Sequence, residues 1–332
     1  MDARVITNST EWNEFAAGFG GHPLQCWEWG ALKEQTGPWK AQHLAFYEGD
    51  EPVGGAQVLT RALPFPLNAI SYLPRGPFAA EGRLMDVANA TAAWCKANTK
   101  AVSLKMEPAV AELDFGKGWE PSSRMLVDRT VVMDLSLDED ALMKAIPNRK
   151  CRQYIRKATR DGVVIRPGTA DDLDAILAMY HATAEADGFD LHEDEFYRTA
   201  FELLGELQQL YVAEYEGELQ AFLWNVTSVN GTAFELWGAV SEDGKRSRAN
   251  YSLKWAAVLA AKERGALTYD LNGLLNDGIS DFKLLFGPEA QWVPTHDKPL
   301  SPLYRPMDKL LTMRRERGSR KSTQSYNDDE RS

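Results

Sequence analysis

The stretch HLAFYEGDEPVGGAQVLTRALP, residues 43–64, decides the fold, because the stretch LYVAEYEGELQAFLWNVTSVNG, residues 210–231, repeats its pattern. Each begins with an alternating apolar strand that ends in tyrosine and continues through an acidic glycine turn into a second strand. A third strand, a helix and another strand follow in both cases, at a period of about 165 residues. The repeat therefore predicts duplication of one α+β unit.

The repeat predicts a mixed α/β chain of two tandem units, with a boundary near residue 150 and no flexible linker. We expect a first domain at residues 1–150 and a second at residues 151–310. Residues 311–332 are basic and then polar, which predicts a disordered tail.

The order of elements in each unit resembles the GNAT (acyl-CoA N-acyltransferase-like) fold. That fold usually grips the acyl-CoA pyrophosphate with a glycine-rich loop at a helix N-terminus. The corresponding stretch here, GKRSRANYSLKW at residues 244–255, has the arginines and the helix start but lacks those glycines. The sequence therefore favours two tandem GNAT-like domains and argues against acetyl-CoA as the donor.

Composition narrows the function classes. The 332 residues carry a net charge of −11, which disfavours nucleic-acid binding over the whole surface. Residues 144–166, however, hold eight Lys or Arg and one Asp, so a local anionic partner stays possible there. Three scattered cysteines and five histidines predict a reducing compartment with no metal and no cofactor. The N-terminus lacks signal-peptide features, and no apolar run is long enough to predict a transmembrane segment.

Six short motifs together resemble the FemA/FemB/FemX (FemABX) family of peptidoglycan aminoacyltransferases. Their order matches the family order over about residues 25 to 305, and they are QCWEWGALKEQTG (25–37), SYLPRGP (71–77), LKMEP (104–108), PNRKCRQYIRKATRDGV (147–163), LTYDLNG (267–273) and FKLLFG (282–287). Two departures stand out. The interval from Ala141 to Val164 has room for one helix only, so we expect no long coiled-coil arm. In the second departure, Asn272 stands where some relatives have an aromatic residue.

The resemblance implies a non-ribosomal peptidyltransferase that builds the peptidoglycan interpeptide bridge. It would move an amino acid, with glycine as our expectation, from aminoacyl-tRNA to the side-chain amine at position 3 of the stem peptide. The acceptor would be lipid II or UDP-MurNAc-pentapeptide. The implied location is cytoplasmic, with peripheral contact at the inner membrane leaflet if the acceptor is lipid II.

The same resemblance points to three catalytic candidates. Lys283 would face the tRNA 3′ end and offset negative charge on the ester oxygens, and Phe282 would pack beside the CCA end or present its backbone N–H to the oxyanion. Glu107 would act as general base or only orient the attacking amine. The alternative for Lys283 is a surface lysine whose aliphatic stem packs on its neighbours. The alternative for Glu107 is an acid at a strand end with Lys105 as its neighbour.

Further candidates would bind the two substrates. For the acceptor groove, the resemblance and the strand-end positions indicate Lys33, Tyr72, Arg75, Arg198 and Tyr269. Lys33 and Arg198 would contact the phosphates of the acceptor. For tRNA, a four-residue spacing on one helix face and a helix N-terminus indicate Arg152, Arg156, Arg160 and Arg248. Solvated helix faces and a solvated turn are the alternatives for these cations.

Two other functions stay open from sequence. One is an acyl-CoA-dependent GNAT acetyltransferase, which CoA-dependent turnover would support. The other is a non-catalytic tRNA- or lipid-binding module, which substrate binding without transfer would support.

Overall fold

A computed structural model describes residues 1–122, 128–274, 278–306 and 308–309. The predicted disordered tail, residues 311–332, lies outside these described residues. Among them, no helix is both long enough and apolar enough to cross a membrane.

The first repeat unit forms the core of one sheet. Its strands and helices are β1 (Asp2–Ile6), α1 (Ser9–Gly18), α2 (Trp27–Thr36), β2 (Trp39–Glu48), β3 (Glu51–Ala62), β4 (Ala69–Leu73), β5 (Phe78–Ala79), α3 (Leu84–Asn98), β6 (Ala101–Met106), β7 (Glu120–Pro121) and β8 (Arg129–Asp134). Strands β2, β3 and β4 are antiparallel, whereas β6 returns through α3 to lie parallel to β4.

The second unit repeats this arrangement. Its elements are α4 (Glu139–Ala145), α5 (Arg149–Arg160), β9 (Val164–Pro167), α6 (Leu173–Asp187), α7 (Asp194–Leu204), β10 (Gln208–Tyr215), β11 (Glu218–Thr227), β12 (Thr232–Val240), α8 (Glu242–Ser247), α9 (Ala249–Glu263), β13 (Thr268–Asp270), α10 (Gly278–Lys283), β14 (Glu289–Gln291) and β15 (His296–Pro299). Strands β10, β11 and β12 are antiparallel, and β13 returns through α9 parallel to β12.

The two sheets exchange strands. In the described residues, the first sheet has the order β1-β2-β3-β4-β6-β15-β7 with β5 added to β3, and the second has the order β14-β8-β13-β12-β11-β10-β9. Thus β8 pairs with the second unit and β15 with the first. The boundary near residue 150 stays a proposal, and hydrogen-bonded strands cross it in both directions.

The units also share a hydrophobic core. Trp29 and Leu32 of α2 pack in one cluster with Phe196 and Ala200 of α7. At the other side of this contact, Ser228 Oγ donates a hydrogen bond to the main-chain oxygen of Gly21 at 2.7 Å. Burial of apolar side chains from both units fixes them as one body.

Candidate active site

Glu107 lies at the end of β6, where the first sheet faces the second unit. Its carboxylate accepts a hydrogen bond from the hydroxyl of Tyr72, and its Oε1 lies 3.5 Å from Nη2 of Arg75. Burial raises the pKa of Glu107, while the charge of Arg75 and the hydrogen bond from Tyr72 act in the opposite direction. These three predicted residues therefore form one group.

Gln25 explains why the first two motifs occur together. Its amide nitrogen donates to the main-chain oxygen of Pro74 at 2.7 Å, and its Oε1 accepts from the backbone nitrogen of Gln57 at 2.8 Å. A Cβ atom on Gly76 would lie 2.4 Å from the Gln25 amide carbon, so this position requires glycine. Gln25 thus fixes the turn that carries Arg75.

The facing side of the site is built around Asn272. Nζ of Lys283 donates to the main-chain oxygens of Asn272 at 3.2 Å and Gly273 at 3.0 Å. Asn272 has φ +58°, a left-handed conformation that asparagine tolerates better than most residues. Asp270, which is buried, accepts from the Asn272 backbone nitrogen at 2.8 Å and from Thr130 Oγ1 at 2.5 Å.

A buried ion pair supports this turn from behind. Nζ of Lys254 lies 2.6 Å from Oε2 of Glu235, and each side chain is only 6% exposed. The side-chain amide of Asn272 donates to the main-chain oxygen of Glu235 at 2.9 Å. Sequence reasoning missed this pair, although a lysine inside the apolar helix sequence YSLKWAAVLAA was a signal for it.

The two sides meet at the junction of the units. The Arg75 guanidinium carbon lies 5.5 Å from the ring centre of Phe234, whose register partner on β13 is Asp270. Asp270 in turn accepts a hydrogen bond from the backbone nitrogen of Asn272, whose main-chain oxygen binds Lys283. The structure therefore brings Glu107 and Lys283 to the same junction.

Phe282 is linked by aromatic contacts to the basic helix α5. Its ring centre lies 5.0 Å from that of Tyr251, which lies 5.2 Å from that of Tyr154 on α5. The Arg248 guanidinium carbon is 4.3 Å from the Tyr154 ring centre. Tyr154 and Tyr251 were not among the predicted site residues, because only the fold makes them neighbours of Phe282.

The predicted arginine stripe lies on α5, whose N-terminus is capped by the Asn148 side chain. Arg152 is half-buried and donates to the main-chain oxygen of Ile146. Arg156 and Arg160 are exposed, and Arg160 lies 3.8 Å from Asp161. Together with Arg248 they place a basic surface beside the aromatic contacts; their tRNA role stays a prediction.

Lys33 and Arg198 lie on the facing helices α2 and α7. Nζ of Lys33 is 4.6 Å from the Trp29 ring centre and 5.1 Å from that of Phe196. Desolvation lowers the pKa of Lys33 to about 8. Arg198 is more exposed and donates to Asp174 at 2.5 Å.

Tyr269 differs from the other acceptor-groove candidates because it is fully buried. Its hydroxyl accepts a hydrogen bond from Nδ2 of Asn225 at 2.8 Å. Burial and the neighbouring Glu235 carboxylate raise its pKa well above the ordinary value. This structure gives Tyr269 a place in the polar core behind Asn272, and its acceptor contact stays a prediction.

In the described ranges, no three His, Cys, Asp or Glu side chains gather in a way that could hold a metal ion. At the junction, Glu107 pairs with Arg75, Glu235 pairs with Lys254, and Lys283 donates to two main-chain oxygens. Chemically, they offer a buried carboxylate with a raised pKa and an oriented ammonium, which suits acyl transfer to an amine.

Comparisons with known proteins agree with this architecture. Residues 148–284 match a family model described as an acetyltransferase (GNAT) domain. A lipid II:glycine glycyltransferase of Staphylococcus aureus is 24% identical over 272 residues, covering 73% of this chain and 61% of that protein. The chain therefore spans about three-fifths of the length of this curated relative.

Solved structures establish the fold. A crystal structure of FemX aligns with a TM-score of 0.81 at 19% identity, covering 93% of this chain and all of the other. A tandem GNAT protein from the clavulanic acid biosynthesis pathway aligns with a TM-score of 0.52 at 13% identity, covering 91% and 99% of the two chains. The predicted mixed fold of two GNAT-like domains is confirmed. The expected lack of a long coiled-coil arm is also confirmed, because described residues 141–164 contain only the end of α4 and α5.

Proposed function

We propose a function from the premise that this chain is Fem-like, because its motifs resemble that family and the glycyltransferase relatives and the FemX fold support the resemblance. It moves an amino acid from aminoacyl-tRNA to the side-chain amine at position 3 of the peptidoglycan stem peptide. The acceptor is lipid II or UDP-MurNAc-pentapeptide. One observation carries the proposal: two main-chain oxygens fix the Lys283 ammonium at the unit junction, where Arg75 links Glu107 to Phe234 of the second unit.

The chemistry needs only positioned acid–base and electrostatic groups. The acceptor amine attacks the ester carbonyl, a C–N bond forms, and the bond to the ribose oxygen breaks. Glu107 receives or orients the amine proton, which finally resides on the released ribose hydroxyl. Lys283 stabilises the tetrahedral oxyanion, and one such group contributes roughly 10²–10³ in rate.

Glycine is the proposed donor residue because the curated relatives are named as glycine glycyltransferases. Alanine and serine are the competing donors that the assay below distinguishes.

The tRNA approaches along α5 in this proposal. Arg152, Arg156, Arg160 and Arg248 contact backbone phosphates, in a manner that is sequence-independent and sensitive to salt. Terminal bases stack beside the tyrosines that connect α5 to Phe282, as aromatic side chains do for single-stranded nucleic acid. The path leads from a basic surface to Lys283.

The acceptor diphosphate binds between α2 and α7. Lys33 and Arg198 supply cations there, and the charge of a bound phosphate would raise the pKa of Lys33, which burial alone lowers to about 8. Tyr72 and Arg75 then orient the stem peptide toward Glu107, to which both are already bound.

An acyl-CoA-dependent acetyltransferase is the second candidate, favoured by the GNAT family match. Against it, the residues before α9 form the short helix α8, with Glu242 and Asp243 in its first turn, in place of a glycine-rich loop. Because Lys245 and Arg246 of α8 already pair with these carboxylates, it is the missing glycines that disfavour CoA.

A donor-by-acceptor transfer assay tests the proposal. Total tRNA charged with radiolabelled glycine, alanine or serine, and separately labelled acetyl-CoA, is offered with lipid II or with the soluble UDP-linked pentapeptide. We expect label on the stem peptide from one charged tRNA and none from acetyl-CoA. Transfer from acetyl-CoA alone would replace the proposal with the second candidate, and binding of both substrates without transfer would support a non-catalytic module.

A further inference from the structure

The turn between β3 and β4 ends in an apolar apex. We call residues 63–68 the docking tip. Its Phe65 is 95% exposed, and Pro64 and Pro66 on either side are exposed as well. The backbone nitrogen of Leu67 donates to the oxygen of Pro64 at 3.0 Å, so the turn is closed. An aromatic ring is thus held in solvent, where it loses the burial that such a ring usually finds.

The docking tip has a firm base. Leu63 and Leu67 pack against a small cluster formed by Val102 and Tyr304, together with Leu303. The backbone nitrogen of Leu63 also donates to the oxygen of Asn68 at 2.7 Å. The leucines pack inward, and the phenylalanine is presented outward between the two exposed prolines.

Cations surround this end of the first sheet. Exposed Lys100 precedes Ala101, which is the register partner of Ala69 at the base of the tip. Arg305, with its side chain 82% exposed, follows Tyr304 directly and lies 3.4 Å from Oε1 of Glu120. Lys309 is also exposed, and the half-buried Asp308 precedes it.

The sequence that continues from this point is strongly basic. Residues 309–321, KLLTMRRERGSRK, contain six Lys or Arg and one Glu. The chain as a whole carries −11, so this end concentrates positive charge on an acidic protein. An exposed ring with exposed Lys100, Arg305 and Lys309 at the same end of the sheet suits an anionic lipid surface, where a single apolar anchor is too weak alone.

We propose that the docking tip, with the cations around it, docks this protein onto an anionic phospholipid bilayer. The proposal rests on the proposed function in one respect, because only a lipid-linked acceptor requires the enzyme to reach its substrate from the membrane surface. A protein partner fits less well, because one ring and two prolines offer far less area than a stable protein interface buries.

The orientation of the site agrees with this docking. Strand β2 begins at Trp39, just after α2, and Trp39 pairs with Arg61 at the tip end of β3. The C-terminal turn of α2, which carries Lys33, therefore lies toward the tip. Glu107 lies at the opposite end of β6, about 20 Å along six strand residues. A lipid-linked acceptor would place its diphosphate nearer the bilayer than its stem peptide, as this arrangement requires.

Vesicle co-sedimentation of the full chain tests the proposal without tRNA or acceptor. Vesicles of phosphatidylcholine containing phosphatidylglycerol are compared with vesicles of phosphatidylcholine alone, for wild type, Phe65→Ser and Val229→Ser. Val229 is a matched control, since it is 56% exposed in the corresponding β11–β12 turn of the second unit. Thermal melting confirms that each variant is folded.

We expect wild type to bind the anionic vesicles and to be released by salt. Phe65→Ser should weaken binding roughly tenfold or more, and Val229→Ser should bind as wild type does. Equal binding to both vesicle types, no binding to either, or unchanged binding by Phe65→Ser would each overturn the proposal.

Transfer assays separate this proposal from the proposed function. Phe65→Ser should retain wild-type transfer to the soluble UDP-linked acceptor and lose transfer to lipid II in anionic vesicles. If no variant transfers any amino acid, the proposed function fails while the vesicle measurement still decides the docking surface.

Discussion

The ammonium of Lys283 lies 3.2 Å from the main-chain oxygen of Asn272, a residue in the left-handed conformation that, with Gly273, orients the candidate catalytic cation. Asn272 is held in turn by its side-chain hydrogen bond to the main-chain oxygen of Glu235. Glu235 is itself paired with buried Lys254. The position of Lys283 therefore depends on a polar network that no local sequence motif describes.

Asn272→Gly tests this dependence. Glycine accepts φ +58° without strain, so the change removes the side-chain hydrogen bond to Glu235 and leaves the turn conformation accessible. We expect kcat to fall about tenfold, which corresponds to about 1.4 kcal/mol, with little change in the acceptor KM.

Asn230→Gly is the matched control, because Asn230 also has a positive φ, +57°, but lies in the β11–β12 turn. Steady-state kinetics and thermal melting of both variants make the comparison. Equal loss of kcat in the two variants would show that Asn272 has no special role in positioning.

The pH dependence of transfer should follow Glu107. A base or amine-orienting carboxylate must be ionised, and burial raises the pKa of Glu107 above its ordinary value. The rate should therefore fall as pH falls through that raised pKa. Glu107→Gln should lower the rate roughly a hundredfold and abolish this decline.

The exposed Glu120 of β7 supplies the control for that profile. Glu120→Gln should leave both the rate and its low-pH decline intact, since Glu120 belongs to the first sheet but pairs with Arg305 rather than with Tyr72 and Arg75. A low-pH decline that persists in Glu107→Gln would assign the titration to another group.

Binding of the soluble UDP-linked acceptor should weaken above pH 8. Lys33 is protonated below its pKa of about 8, so the diphosphate meets a cation; above it, binding requires uptake of one proton. The Kd should rise by up to about tenfold per pH unit between pH 8 and 9. Lys33→Arg should bind with little pH dependence, because arginine stays charged.

Calorimetric titration of the acceptor at pH 7, 8 and 9 measures this effect. Proton uptake appears directly as a dependence of the binding heat on the buffer. A wild-type Kd that is constant from pH 7 to 9 would place the diphosphate away from Lys33.

Salt dependence should reveal the tRNA surface. Removing one phosphate contact by Arg156→Gln or Arg160→Gln should reduce the slope of log affinity against log salt by roughly 0.7 to 0.9. Lys150→Gln is the control, because Lys150 is exposed on the same helix but outside the four-residue row. Equal slopes in all three variants would remove α5 from the tRNA interface.

The sequence predicted the duplicated unit well, for a physical reason. Alternation of apolar residues and an acidic glycine turn are local signals, and both repeats carry them at residues 43–64 and 210–231. The basic helix was also predictable, because a four-residue spacing of arginines is visible without a fold. The structure confirms both as secondary structure.

The strand exchange could not be predicted in the same way. Strand β15 has only four residues, His296–Pro299, with no apolar alternation, and its pairing with β6 spans almost 200 residues. The contacts that support Asn272 are similarly non-local. Thr130 donates a hydrogen bond to Asp270 across 140 residues, and Glu235 on β12 pairs with Lys254 on α9. Such contacts depend on tertiary packing, which local patterns do not encode.

The most direct test of the account is the single-turnover rate of amino-acid transfer from charged tRNA in wild type and Lys283→Ala. Lys262→Ala is the matched control, since Nζ of Lys262 also donates to a main-chain oxygen, that of Leu135 at 2.7 Å, away from the junction. We predict a loss of roughly 10²–10³ for Lys283→Ala with tRNA binding unchanged, and a wild-type rate for Lys262→Ala. Transfer by Lys283→Ala at the wild-type rate would contradict the assignment of this lysine to the chemistry.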